Sequence, residues 1–178
     1  WGRYFFMILV SFPLALIFFR KEIKIPKNIS VQLFRGFFLF LSTVFFFYSI
    51  SIISLAQALT LAFVSPIIVT ILSIFYLKEK VGIHRWSAVI IGFIGVLIII
   101  RPGFLEINFA SISAIGAGTA YAFYIIYTRK LSFIDSPVVT LLFTGVVGCI
   151  LISLILPYYW TNVDLRQLLL LILLASIG

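Results

Sequence analysis

LTLAFVSPIIVTILSIFYLKEKVGIHRWSAVIIGFIGVLIIIRPG, residues 59–103, decides the fold. An apolar arm with a proline at its centre runs into a short basic turn, and a second, glycine-bearing apolar arm runs out of it. The first arm extends back to Leu55 and on to Leu77, 23 residues without a charge. A helix needs about 20 mainly apolar residues to cross the hydrocarbon of a bilayer. The second arm, Trp86–Ile100, is shorter and ends on Arg101-Pro102-Gly103. The stretch reads as a helical hairpin in a membrane, and the rest of the chain repeats its pattern.

Composition requires the same class. Of 178 residues, 63% are hydrophobic and 10% charged, and the mean hydropathy is +1.28. So few charges cannot clothe a soluble domain of this size. The net charge of +8 sits in short loops between apolar runs. That pattern fits the bias that keeps Lys and Arg on the cytoplasmic side, and it argues against a nucleic-acid partner. Cys149 is the single cysteine; it can close no intrachain disulfide and reads as a small core residue.

Tyr4–Phe19 makes a first span with Pro13 inside it, followed by a loop carrying Arg20, Lys21, Lys24, Lys27 and Arg35. From Gly36 to Leu77 no charge occurs for 42 residues. A single helix of that length would be about 63 Å, roughly twice the hydrocarbon thickness. A turn must therefore be hidden within it, and the polar stretch Ser51–Gln57 is the place. The expected spans are Gly36–Ser51, Leu55–Leu77, Trp86–Ile100, Ile107–Thr128, and one opened by Asp135-Ser136-Pro137 and closed at Pro157. With Tyr4–Phe19 these make six spans, and Leu168–Gly178, at 11 residues, is the start of a seventh. The opening on Trp1-Gly2-Arg3-Tyr4 and the stop inside an apolar run lead us to expect a segment of a longer membrane protein. Ten of the thirteen basic residues follow spans one, three and five; only Arg3, Arg101 and Arg166 lie on the other side. The ten-residue side is cytoplasmic by the positive-inside rule.

In lipid, helices associate where small residues let backbones approach. Ala58, Ala62 and Pro66 form one such face, Ala88 and Gly92 with Gly95 a second, and Ala114, Gly118 and Ala122 a third.

These residues resemble a known family. The proline-centred span at Ser65-Pro66, the turn Leu77-Lys78-Glu79-Lys80, Arg85-Trp86 opening the next span, Gly92 and Gly95, and the exit Arg101-Pro102-Gly103 are similar, in order and spacing, to the EamA-type repeat of the drug/metabolite transporter superfamily. Phe34-Arg35-Gly36 before an aromatic-rich span resembles its S-adenosylmethionine uptake members. The resemblance implies an all-α, polytopic membrane helical bundle built from two inverted five-helix repeats, ten helices in all. Residues 1–103 would then hold helices two to five of the first repeat, and residues 104–178 helices six, seven and part of eight. It further implies a multi-pass protein of the cytoplasmic (inner) membrane that moves a small organic metabolite by alternating access. The alternatives are an exporter of the same fold or a membrane assembly subunit that transports nothing.

In such proteins substrate binds near mid-membrane, often where helices are broken. Pro66 lacks an N–H and disturbs the carbonyl one turn earlier, that of Ala62. The freed carbonyl and the Ser65 hydroxyl are candidate substrate contacts; the competing reading is a kink, with Ser65 bonding to its own helix. Tyr121, Tyr124 and Thr128 share a helix face that can stack on a flat or cationic substrate or serve aromatic packing. Thr43 is a further candidate, against a role in ordinary interhelical hydrogen bonding. Arg3 faces either an anionic substrate group or the interface to which it snorkels.

Glu79, between two lysines, reads as a turn-holding residue, and His84 is the single histidine. No cofactor or metal is expected, because a metal site needs several convergent ligands. All five carboxylates, Glu22, Glu79, Glu106, Asp135 and Asp164, fall in loops. Intramembrane enzymes need paired acids or a nucleophile with its base inside the spans, and proton relays need intramembrane Asp, Glu or His. An enzyme is therefore not expected, and exchange or facilitated movement gains over proton coupling. Oligomeric state leaves no mark on the sequence.

Overall fold

A computed structural model describes residues 2–20, 26–100, 108–158 and 170. Every regular element among them is helical: α1 (Gly2–Phe18), α2 (Ile29–Ile50), α3 (Leu55–Ala62), α4 (Ser65–Leu77), α5 (Ile83–Ile100), α6 (Phe109–Leu131) and α7 (Pro137–Ile155), then a 3₁₀ turn at Leu156–Tyr158. Among the described residues four stretches are long and apolar enough to cross a membrane: α2, α3 with α4 (Leu55–Leu77), α6 and α7. Tyr4–Phe18 and Ile83–Ile98 are shorter apolar helices. The chain is an all-α, multi-pass membrane bundle. The exit Arg101-Pro102-Gly103, Asp164, Arg166 and nearly all of the expected seventh span lie outside the described residues.

The hidden turn falls where polarity placed it. α2 stops at Ile50, and Ile53 N–H bonds back to Ser49 O at 2.9 Å. Ser54 then starts α3 with a reciprocal cap: Gln57 N–H donates to Ser54 Oγ at 3.3 Å, and Ser54 N–H to Gln57 Oε1 at 3.2 Å. Two otherwise orphaned donors are satisfied this way. Asn108 caps α6 through Ser111 N–H at 2.9 Å, and Ser136 caps α7 ahead of Pro137.

One boundary needs correcting. The span expected to open at Gly36 begins at Ile29, so Arg35 lies inside α2 and is only 4% exposed. A charge was taken to mark a loop. It is tolerated in the helix because α7 supplies acceptors for it.

The described residues fall into two compact units: residues 1–40 with 131–178, and residues 41–130. In the first, α7 is held by α1 and the early part of α2. Gly148 lies against the Tyr4 ring, Gly145 against Ile8, and Gly36 against Val147. Arg35 donates to Thr140 O at 2.8 Å and to Thr144 Oγ1 at 2.5 Å. Gln32 Nε2 donates to Asp135 Oδ2 at 2.9 Å, and Lys27 N–H to Asp135 Oδ1 at 3.2 Å. Gln32 Oε1 is buried and has no hydrogen-bond partner among the described residues.

The second unit is sealed by small residues, as helix association in lipid requires. Ala58, Ala114 and Ala122 are fully buried. Gly116 rests on the Phe45 ring, and Ser113 Oγ donates to Phe45 O at 2.9 Å. Gly118 packs directly on the Ala62 carbonyl. The third packing face is therefore observed, and so is Ala58 with Ala62 of the first. The second is not: a side chain grown at Gly92 or Gly95 would meet nothing within 4 Å. Ala88 and Gly92 instead wall an apolar cleft of about 240 Å³ beside Phe63, Pro66 and Arg85.

Glu79 does more than hold its own turn. Its carboxylate pairs with Arg85 at 3.6 Å and with Arg129, at the end of α6, at 2.9 Å. The basic loops after spans three and five therefore lie at one end of this unit, as the charge alternation requires. These side chains are roughly a third exposed, so the network contributes at most about 1 kcal/mol per pair. Glu79→Gln is expected to lower thermal stability by that order in dilute buffer. The difference should vanish near about 1 M salt, where the screening length is roughly 3 Å; a deficit unchanged by salt would show that the pairs do not act electrostatically.

Candidate functional site

The long apolar span breaks where its proline demands. α3 ends at Ala62 and α4 begins at Ser65, with Phe63 and Val64 between them. Pro66 has no N–H to give to Ala62 O. Tighter bonds take over: Phe63 N–H reaches Thr60 O at 3.2 Å, Val64 N–H reaches Leu61 O at 3.3 Å, and Ile67 N–H reaches Val64 O at 3.1 Å. A broken helix is tolerated within a membrane bundle where it borders a cavity or buried protein. Here it borders both.

A cavity of about 280 Å³ opens beside the break, lined by Ser42 and Phe46 of α2, Leu59, Ala62, Phe63, Ser65, and Ala117, Gly118 and Tyr121 of α6. Its walls are apolar with a few polar atoms. Ser42 Oγ donates to Ala117 O at 2.9 Å, which fixes α2 against α6 at the cavity edge. Among the described residues the Ser65 hydroxyl makes no hydrogen bond, and the kink of the competing reading is present as the break between α3 and α4. Tyr121 is 42% exposed and stacks on Tyr124, with ring centroids 5.6 Å apart and planes at 29°. Tyr124 thus backs the ring that lines the cavity without lining it itself.

Of the residues singled out in the sequence, Ser65 and Tyr121 meet at this cavity. Pro66 faces the neighbouring cleft with Ala88 and Gly92. Thr43 is half-buried on α2 and does not line the cavity. Thr128 donates its hydroxyl to Tyr124 O at 2.7 Å, within its own helix. Arg3 stands in the first turn of α1, and its side chain lies outside the described set. Ser42, Phe46, Leu59, Phe63 and Ala117 also line it without having been given a substrate role, and Gly118 had been named only for packing. The signal was present, since Ser42, Phe46 and Ser49 fall at i, i+4 and i+7, one helix stripe. Ser49 is fully buried, and its hydroxyl has no partner among the described residues.

No group of three or more metal-ligating side chains occurs among the described residues. The cavity lining offers the aromatic face of Tyr121 and the neutral hydroxyls of Ser42 and Ser65.

A model of the EamA-like transporter family matches residues 1–101. The chain belongs to this family. It is 27% identical over 176 residues to the S-adenosylmethionine uptake transporter of Rickettsia bellii, and 26% identical over 176 residues to that of Rickettsia conorii. Each alignment covers 99% of this chain and 60% of the relative. It is also 43% identical over 81 residues to the riboflavin transporter of Vibrio cholerae, covering 46% of this chain and 27% of that protein. The chain thus spans about 60% of the length of the Rickettsia relatives. No solved structure matches it.

Proposed function

We propose that this chain forms part of a secondary transporter of the cytoplasmic membrane, moving a small organic metabolite by alternating access. The cavity at the α3–α4 break is its substrate-contacting surface. The observation that carries this reading is the meeting of the broken helix, the unengaged Ser65 hydroxyl and the Tyr121 ring at one cavity. In this reading residues 1–103 belong to a first five-helix repeat and residues 104–178 to a second, inverted one. The substrate is a compound with a flat ring. The Rickettsia relatives are named for S-adenosylmethionine and the Vibrio relative for riboflavin; both molecules carry a planar heteroaromatic system that an exposed tyrosine face can stack on. A volume of about 280 Å³ lies at the low edge of the roughly 300–1,000 Å³ typical of small-molecule sites. It suits the ring rather than the whole metabolite. S-adenosylmethionine takes precedence because its transporters align along nearly the whole chain, and its sulfonium adds attraction to an aromatic face.

The test is uptake of labelled S-adenosylmethionine, with riboflavin as the parallel substrate, in a host lacking its own route for either. Tyr121→Leu is expected to raise KM about three- to tenfold, the worth of an aromatic stack. Ser65→Ala is expected to do so by a similar factor, the worth of one hydrogen bond. Normal KM in the double variant would remove the cavity from the transport path. Absence of uptake and of counterflow for both compounds would refute these substrates.

A further inference from the structure

We propose that the basic and aromatic cluster where α4 and α6 end and α5 begins is a binding site for the headgroup of an anionic phospholipid. The cations are Lys78, Lys80, Arg85, Arg129 and Lys130, and Glu79 is the one carboxylate paired with them among the described residues. A bias of charge toward one side of a membrane would only scatter such residues along the loops. Here Arg85, Arg129 and Lys130 are held by specific contacts. Glu79 holds Arg85 and Arg129, at 3.6 and 2.9 Å, one to each carboxylate oxygen. Lys130 Nζ sits 5.2 Å from the centre of the Tyr76 ring, and that ring meets Tyr127 edge-on with centroids 5.6 Å apart. Lys78 adopts a left-handed backbone at φ 54° and closes α4, and Glu79 N–H bonds back to Ser73 O at 3.2 Å. The turn is thereby set, and Lys78 and Lys80 are left exposed on its rim.

Among the described residues of this cluster one carboxylate stands against five cations, and Lys78, Lys80 and Lys130 remain exposed. The surplus is a phosphate-binding surface. The identity of the anion follows from what borders it. Phe75, in the last turn of α4, is 77% exposed, and Ile83, the first residue of α5, is 75% exposed. These apolar side chains stand one turn from the cations, at the level where acyl chains join a headgroup, and tyrosines mark that same interfacial depth. A free phosphate would gain nothing from them, whereas a phosphodiester with its chains would use both parts. Cation pockets between membrane helices on the cytoplasmic side are suited to such headgroups.

The experiment uses the purified protein in a neutral detergent. It is supplied with phosphatidylglycerol, phosphatidylcholine of the same chains, or inorganic phosphate, and retention is read by native mass spectrometry and Tm by thermal unfolding. Phosphatidylglycerol is expected to be retained and to raise Tm, with neither effect from the other two. Each lysine near an anionic surface contributes roughly a fivefold factor, so K78Q/K80Q/K130Q should weaken retention on the order of a hundredfold and K130Q about fivefold. K27Q, outside the cluster, should bind as the parent does. These lysine changes are on exposed side chains, and helicity by circular dichroism confirms that each variant is folded. Equal retention of the two lipids, an equal Tm rise with inorganic phosphate, or parent-like binding by the triple variant would each overturn the proposal. Transport enters none of these readouts, so the site stands or falls independently of the substrate.

Discussion

Gly118→Ala is expected to destabilise the protein by about 3 kcal/mol, while Gly95→Ala leaves it unchanged or slightly more stable. Both changes add one methyl group to the middle of an apolar helix. What differs is the neighbour. A Cβ at Gly118 would be driven into the carbonyl of Ala62, closer than any real Cβ contact, and the obstacle is backbone rather than the tip of a flexible side chain. That carbonyl is the one Pro66 leaves without its helical donor, so α3 ends there and α6 closes over it. Overpacking a tight contact costs about 1–3 kcal/mol, and an unyielding partner puts this site at the top of the range. At Gly95 the methyl enters open space, with nothing within 4 Å, and alanine gains about 0.5–1 kcal/mol of helix propensity over glycine. Thermal unfolding of the two variants in one lipid or detergent separates them, with Gly118→Ala unfolding several degrees lower. Equal Tm values would mean that α6 and the α3–α4 break do not meet as described. Because Gly118 also lines the cavity, its variant should lose substrate affinity as well as stability, which a remote packing defect would not do selectively.

The sequence carried much of this bundle. A 42-residue run without charge forced a turn, and the turn lies at Ser51–Ser54. The proline and the length of Leu55–Leu77 announced a broken span, and Ala62 was the carbonyl to watch. The small residues of α6 proved to be contacts because their phase matched a partner. Those of α5 did not, because a stripe of small residues specifies what a face permits and says nothing of whether another helix comes to it. The cavity was half legible. Ser65 and Tyr121 were found from local chemistry, helix breakage and aromatic placement. Ser42 and Phe46 share a stripe of α2, but that this stripe meets Ala117 at the cavity depends on which helices cross there, a long-range fact. Arg35 was misread for a related reason. The rule that places charges in loops is an average over side chains without partners, and the α7 acceptors of Arg35 lie more than a hundred positions away.

Arg35→Lys is expected to cost about 1.5–3 kcal/mol even though the charge is kept. One nitrogen of the guanidinium serves two acceptors on α7, Thr140 O at 2.8 Å and Thr144 Oγ1 at 2.5 Å, with 4% of the residue exposed. An ammonium on a shorter, flexible stem cannot reproduce that planar fork, and in a buried site it is more costly to strip of water. Thr144 is equally committed, because its hydroxyl accepts from Arg35 while donating to Thr140 O at 2.8 Å. Thr144→Val keeps the shape, removes the acceptor and leaves a buried N–H short of a partner, a loss of about 1–3 kcal/mol. The two losses are one interaction counted twice, so the double variant should be less damaged than the sum by roughly 0.5–3 kcal/mol. A double-mutant cycle by thermal or denaturant unfolding measures that difference directly. Additive losses would mean that Arg35 is held by something other than this hydroxyl. A coupling of the expected size would establish that an intramembrane cation, usually a mark of function in such helices, here ties α2 to α7, and that separating those helices requires breaking it.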